Sequence, residues 1–391
     1  MKVAMLRRSL RLRPGKNKKH VFMIHRSAIP PQLVVSLSNQ DATRDTYQRK
    51  VFFDGHNFFI VYFDSTSKQL KYVASQNGQT WCSPVMLFTF SVAPYYGGNV
   101  DLQYPNRRVI DLITGKAFDF LLAFSGSNGT TWSTYSFQIS GQTLVNVYGY
   151  GYTPGGQGGS AVANLDGINN VWIHHASSYL VAGEWASVNA TSSAVSYGGT
   201  STGGCQILPY KTANPFNLFV LAKDASNILY YSRINANGSS FLDAFPSIAT
   251  LTTSFSDFCG CSEAQALGAP ARVHMVYIKS TGDLCYRNYQ NDTLSAETLL
   301  VAAASSPSYP VIAADRYGSL YVFYVQAGAI MLLMWTSGAW RTPITLFPGH
   351  AYSNPVYLSC NQYAQNGRIC LVWMEGTSPY QLWFAAIPEG Y

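Results

Sequence analysis

An all-β fold, specifically a β-propeller of seven blades, is predicted by three features of the 391-residue chain. A strand-pair pattern returns about every 52 residues, its middle strands are continuous apolar runs, and only 12% of the residues are charged. Equivalent positions of the pattern are Leu70, Thr134, Leu180, Leu229, Leu284, Leu332 and Leu382, six intervals spanning 312 residues. Runs such as Phe58-Phe59-Ile60-Val61-Tyr62 and Leu320-Tyr321-Val322-Phe323-Tyr324-Val325 suit strands covered on both faces, as when blades pack face to face. Six or eight blades remain open, because the second and third repeats are irregular.

The elements follow in order. Residues 1–30 read as a basic arm. Through residue 26 it holds Lys2, Arg7, Arg8, Arg11, Arg13, Lys16, Lys18, Lys19 and Arg26 and no acid. The rest of the chain keeps 17 of the 26 basic side chains against 19 acidic ones, so its net charge is −2. The net +7 therefore belongs to the arm. Arg7, Arg8, Arg11, Arg13, Lys16, Lys18 and Lys19 are expected to anchor the protein to other subunits of an assembly, on an acidic protein surface, or to contact a polyanion. Met1–Leu6 is too short an apolar run for a secretory signal, and no small-residue cleavage site follows. No run of 18 apolar residues predicts a membrane span.

Pro30-Pro31 ends the arm, and residues 31–391 read as one propeller domain. Residues 33–38 form a lone strand. The blades cover about 48–88, 99–150, 159–197, 204–246, 257–302, 308–347 and 353–387. The last is one strand short, so the lone strand is expected to complete it and close the ring, removing two open sheet edges.

No cofactor or metal is expected. The seven cysteines form no Cys-x-x-Cys pair. Cys360 and Cys370 fall on neighbouring strands of a hairpin, where they are either bridged or buried thiols. His174 and His175 face opposite sides of a strand and cannot share a metal easily. Gly155-Gly156-Gln157-Gly158-Gly159 lacks the lysine and the helix of a phosphate loop.

Ser75-Gln76-Asn77-Gly78-Gln79-Thr80-Trp81 resembles the Asp-box, or BNR repeat, of sialidase-like β-propellers, with the aspartate missing and the spacing one residue shorter. Ser127–Trp132 and Ser337–Trp340 are weaker echoes. The resemblance implies a hairpin turn at Asn77-Gly78, with Trp81 filling the gap between blades. In that family the box is structural. Sialidase chemistry would further need an arginine triad, a Tyr–Glu pair and an acid. Here only Arg107-Arg108 cluster, and glutamate occurs only at 184, 263, 297, 375 and 389. No catalytic residue is assigned.

The connections between blades are rich in tyrosine with glycine and serine, the composition of recognition loops. Tyr95, Tyr96, Tyr148, Tyr150, Tyr152, Tyr197, Tyr309 and Tyr352 are the candidate binding residues, for a glycan or a protein partner; packing of the loops is the alternative. The expected function is a non-enzymatic structural and binding subunit of an extracellular or virion-like assembly. A secreted carbohydrate-active propeller, lectin or sialidase-like glycosidase, is the competing reading.

Overall fold

The computed structural model describes residues 27–90, 100–104, 109–110, 117–125, 132–152, 158–163, 170–176, 179–184, 192–196, 204–211, 217–224, 226–235, 243, 245–254, 256–263 and 272–391. Antiparallel sheets of four strands, two of them extended by a short fifth, succeed one another along the chain. The first sheet comprises Val51–Phe53, Phe58–Asp64, Gln69–Ser75 and Val85–Thr89, and the second Val100–Gln103, Phe120–Ser125, Trp132–Ser140 and Thr143–Tyr152. The third holds Gly158–Ala163, Asn170–Ala176, Tyr179–Glu184 and Ser192–Ser196; the fourth holds Cys205–Lys211, Asn217–Lys223, Ile228–Asn235 and Ser247–Thr250. In the fifth, Phe258–Ser262, Val273–Ile278 and Leu284–Gln290 are followed by a divided rim strand, Thr293–Leu294 and Thr298–Val301. The sixth repeats that plan with Ser308–Ala314, Leu320–Gln326, Ala329–Thr336, Ala339–Trp340 and Ile344–Thr345. A two-stranded ribbon, Val109–Ile110 with Ala117–Phe118, is inserted in the second repeat and accounts for its irregular length.

The closing sheet joins the two ends of the chain. Val356–Cys360, Arg368–Glu375 and Tyr380–Pro388 are completed by Ile29–Leu37, which pairs from Ile29 opposite Ala386 to Leu37 opposite Tyr380. The predicted closure is present, but the strand begins at Ile29 and not at residue 33. Pro30 and Pro31 lie inside it, at a register break. Proline is tolerated there because this is the outermost strand, whose outward N–H groups have no ladder to join.

Each sheet touches the next, and the closing sheet touches the first. In nearly every neighbouring pair it is the first strands that meet, so these strands surround a common axis. All seven equivalent positions of the sequence period fall on third strands. The second strands are buried along almost their whole length, as Phe58–Asp64, Val273–Ile278, Leu320–Gln326 and Arg368–Glu375 show. The apolar core is a set of seams between sheets. One joins the closing and first sheets through Ile29, Phe58, Val372 and Phe384; another joins the fourth and fifth through Phe219, Leu229, Met275 and Tyr289.

The Ser75–Trp81 hairpin shows how such a seam is sealed. Asn77 Oδ1 accepts from the N–H groups of Gln79 and Thr80, each at 2.8 Å, and Gly78 takes the left-handed conformation at φ +70°. A Cβ on Gly78 would lie 2.9 Å from side-chain atoms of Ile29 and Phe384. Trp81 packs edge-on against Phe384 at 5.0 Å across the seam.

Cys360 and Cys370 are both free thiols. They do lie on adjacent strands, but the register sets Cys360 opposite Leu371. Cys370 therefore points to the other face, toward the first sheet, while Cys360 faces the sixth. A single-residue offset separates the two sulfurs by the thickness of the sheet.

Candidate functional site

The chain must travel from the rim at Leu37 to the axis at Val51, and residues 38–50 make that crossing. A 3-10 turn at Asp41–Thr43 starts the descent. Thr43 Oγ1 donates to Tyr357 O at 2.7 Å, Asp45 N donates to Ser256 Oγ at 3.2 Å, and Thr46 Oγ1 donates to Phe258 O at 2.9 Å. The Tyr47 ring stacks on Phe258 at 4.8 Å, and Gly204 is placed so that a Cβ would fall 2.0 Å from Tyr47 Cζ. Gln48 then bonds the second and closing sheets, accepting from Val100 N at 2.9 Å and from Ser359 Oγ at 2.8 Å. A short segment that reaches the second, fourth, fifth and closing sheets can do so only on the axis.

A second crossing enters from the closing sheet. Ala314 N donates to Gln362 O and Ala364 N to Ala314 O. Tyr363 OH donates to Tyr104 O, and Gln362 Nε2 donates to Tyr47 O at 3.1 Å, joining the two crossings. The axis is thus occupied by the chain itself.

The axial segment is unusually charged for this protein: Asp41, Arg44, Asp45, Arg49 and Lys50 fall within ten residues. That density was the available signal in the sequence, where residues 39–47 between the closure strand and the first blade carry no assigned role. Arg49 is forked onto Asp101, with Nε to Oδ1 at 2.9 Å and Nη2 to Oδ2 at 2.6 Å. Lys223 Nζ donates to Asp257 Oδ2 at 2.8 Å and to Thr252 O at 3.0 Å. Lys50 Nζ donates to Arg44 O at 2.6 Å and to Gln48 Oε1 at 3.2 Å. Burial pushes the Lys50 ammonium down to about 8, against the pull of Asp45 and Asp101. Burial likewise raises Asp45, and it pushes Asp257 up to about 6 although Lys223 opposes it.

Lys50 carries a defined pH signature. Its folded value lies below the 10.5 of an exposed lysine, so between about 8 and 10.5 the unfolded chain holds a proton that the folded chain has released. The cost of burying the charge is fully present below pH 8 and is relieved as pH rises through that window. Urea midpoints of wild type and Lys50→Met, taken from pH 7.5 to 10.5, are expected to diverge in favour of wild type. At about 1.4 kcal/mol per pH unit of separation, the relative gain reaches roughly 3 kcal/mol. Parallel curves would show that Lys50 does not titrate there.

The predicted binding residues are scattered. Arg7, Arg8, Arg11, Arg13, Lys16, Lys18, Lys19, Tyr95, Tyr96 and Tyr197 lie outside the described residues. Tyr148, Tyr150 and Tyr152 do not sit in a connection: they belong to Thr143–Tyr152, the rim strand of the second sheet, paired with Trp132–Ser140. Tyr309 is the second residue of the first strand of the sixth sheet, and its half-buried ring meets Tyr357 edge-on at 5.2 Å. Tyr352 donates its hydroxyl to Leu346 O and packs beside Trp373. Burial raises the phenol pKa of both. Packing is what Tyr309 and Tyr352 do.

The described glutamates are similarly engaged. Glu375 accepts from Trp373 Nε1 at 2.6 Å and from Ser353 N at 3.1 Å, with His350 Nε2 at 3.0 Å. Glu263 lies 3.0 Å from His274 Nε2, whose Nδ1 is 2.7 Å from Tyr286 OH. Glu297 accepts from Tyr277 and Lys279, and Glu389 pairs with Arg316. Among the described residues, no group of three or more His, Cys, Asp and Glu could hold a metal ion.

The fold and these contacts define a propeller-class all-β protein with an occupied axis. No protein-family model and no curated protein matches the chain. Solved structures do. The β-propeller domain of Myceliophteria thermophila Cps50 (Swd1) superposes with a TM-score of 0.53 at 8% identity, covering 90% of this chain and 99% of its own. BBS1N, solved in complex with ARL6DN, gives 0.52 at 12% identity, covering 92% and 99%. A lectin from Aleuria aurantia, solved with Fucalpha1-6GlcNAc, gives 0.46 at 11% identity, covering 78% and 97%. At these identities the likeness concerns the fold alone.

Proposed function

We propose that the chain is a seven-bladed, non-enzymatic propeller that serves as a structural and binding subunit of an extracellular or virion-like assembly. The basic arm anchors it to neighbouring subunits or to a polyanion, and Tyr95, Tyr96 and Tyr197 meet a glycan or a partner protein. The observation that carries this reading is the path of the chain after the arm. Residues 29–37 close the ring and residues 38–50 fill its axis, so the arm is tethered directly to the two elements that hold the sheets together. A load on the arm is then borne by the whole ring. The charge division supports the same reading, since an arm with nine basic groups precedes a net-negative body able to receive a neighbour's arm.

Deleting residues 1–26 tests it while leaving the closure strand whole. The truncated protein is expected to match full-length protein in urea denaturation but to lose its higher-order species in light scattering. Unchanged particle size would sink the anchoring role. Turnover of an aryl glycoside by the purified protein would overturn the non-enzymatic assignment.

A further inference from the structure

The third strands of the fourth and fifth sheets face each other across a seam. Leu284–Gln290 directs Cys285, Arg287 and Tyr289 into it, opposite Leu229, Tyr231 and Arg233 of Ile228–Asn235. Arg233 is forked onto Asp243 at 2.8 and 2.9 Å and also reaches Asp292 at 2.6 Å. Arg287 has no such partner. Among the described residues its guanidinium makes no hydrogen bond and no ion pair, and its Nε is shielded from solvent with its N–H unanswered. Buried donors are almost always satisfied, so an unanswered guanidinium N–H in a half-buried side chain asks for an acceptor from outside the chain.

The rim provides the entrance. The fourth strand of the fifth sheet pairs as far as Leu294 opposite Tyr289 and resumes at Thr298 opposite Tyr286. Arg287 lies beside the break. Within the break, Ser295 folds back on Asn288, and Glu297 turns to Tyr277 and Lys279 at 2.8 and 3.0 Å. Glu297 is within electrostatic reach of Arg287 without bonding it, and its carboxylate is already engaged by Lys279. Across the seam Tyr231 is held by stacking on Phe219 at 5.5 Å, and its hydroxyl has no hydrogen bond among the described residues.

We propose that Arg287 anchors a binding site in this seam for a carboxylate that carries neighbouring hydroxyl groups, as a hexuronic acid does. The planar guanidinium fork matches a carboxylate in two parallel hydrogen bonds. Tyr231 supplies a ring edge and a free hydroxyl for the rest of the ligand. The site uses neither the arm nor the tyrosine-rich connections, so it can fail without the proposed function failing.

Calorimetric titration of the full-length protein with D-glucuronate and with neutral D-glucose, at matched ionic strength, tests it. Saturable glucuronate binding is expected, with glucose at least tenfold weaker. Arg287→Gln is expected to weaken glucuronate at least tenfold. Arg287→Lys, which keeps the charge and most of the stem but lacks the fork, is expected to weaken it severalfold; it carries the test if the glutamine variant does not fold. Absence of saturable binding by wild type, equal binding of glucose, or undiminished binding by a folded Arg287 variant would each overturn the assignment.

Discussion

Deletion of residues 1–38 is expected to abolish cooperative unfolding and drive the protein into aggregates, whereas deletion of residues 1–26 leaves the melt unchanged. The difference lies in one strand. Ile29–Leu37 pairs along the length of Tyr380–Pro388, and its buried ends, Ile29 and Leu37, sit in the seam with the first sheet. Val34 and Val35 pack on the same cluster. At about 1.5–3 kcal/mol for each fully buried aliphatic side chain, the loss is roughly 5 kcal/mol before ladder hydrogen bonds are considered. That is comparable with the whole stability of many domains. The deletion also exposes the edge of Tyr380–Pro388, a template for pairing between molecules. Denaturation curves and size-exclusion profiles of the two truncations decide the matter, and a monomeric 39–391 protein with a full-length melt would refute closure by this strand.

Asp101→Ala is expected to cost about 3–5 kcal/mol, the usual penalty for stranding one partner of a buried ion pair. Asp101 Oδ1 receives both the backbone N–H and the Nε of Arg49, at 2.8 and 2.9 Å, and Oδ2 receives Nη2. The two side chains are 0% and 4% exposed, so water cannot replace the lost carboxylate. Pairing the change with Arg49→Met removes the stranded charge and is expected to recover most of the loss. A double-mutant cycle in urea measures the coupling directly. A single-variant cost below about 1 kcal/mol would mean that the axial pair does not hold the first and second sheets together.

Much of the ring was legible along the chain. Apolar runs such as Leu320–Val325 state that a strand is covered on both faces, and recurrence of that pattern at a fixed interval states that the covers are copies of itself. Even the missing strand was legible, because a three-stranded last repeat and an unpaired N-terminal strand each leave an edge that the other removes. The start of that strand was not, since Pro30-Pro31 ends most elements and is admitted here only by the outermost position.

Local pattern failed wherever the answer depended on which strand ends meet across the ring. Cys360 and Cys370 looked like neighbours, and a one-residue register turned them to opposite faces. Tyr148, Tyr150 and Tyr152 looked like a connection, and pairing with Trp132–Ser140 made them rim strand. Tyr309 and Tyr352 had the composition of a recognition surface and became packing.

By itself the sequence determined the all-β class, the repeat and the order of the strands, because alternation and burial are written in residues close together in the chain. Only the tertiary structure decided what fills the axis and which arginine is left without a partner. Tyr47 meets Phe258 and Gln362 at separations of more than 200 residues. Arg233 and Arg287 are the same residue type on equivalent strands, and only the arrangement of the seam satisfies one and leaves the other open. Such contacts exist only once the sheets are packed, since no stretch of a strand encodes the distance to a side chain on the neighbouring sheet.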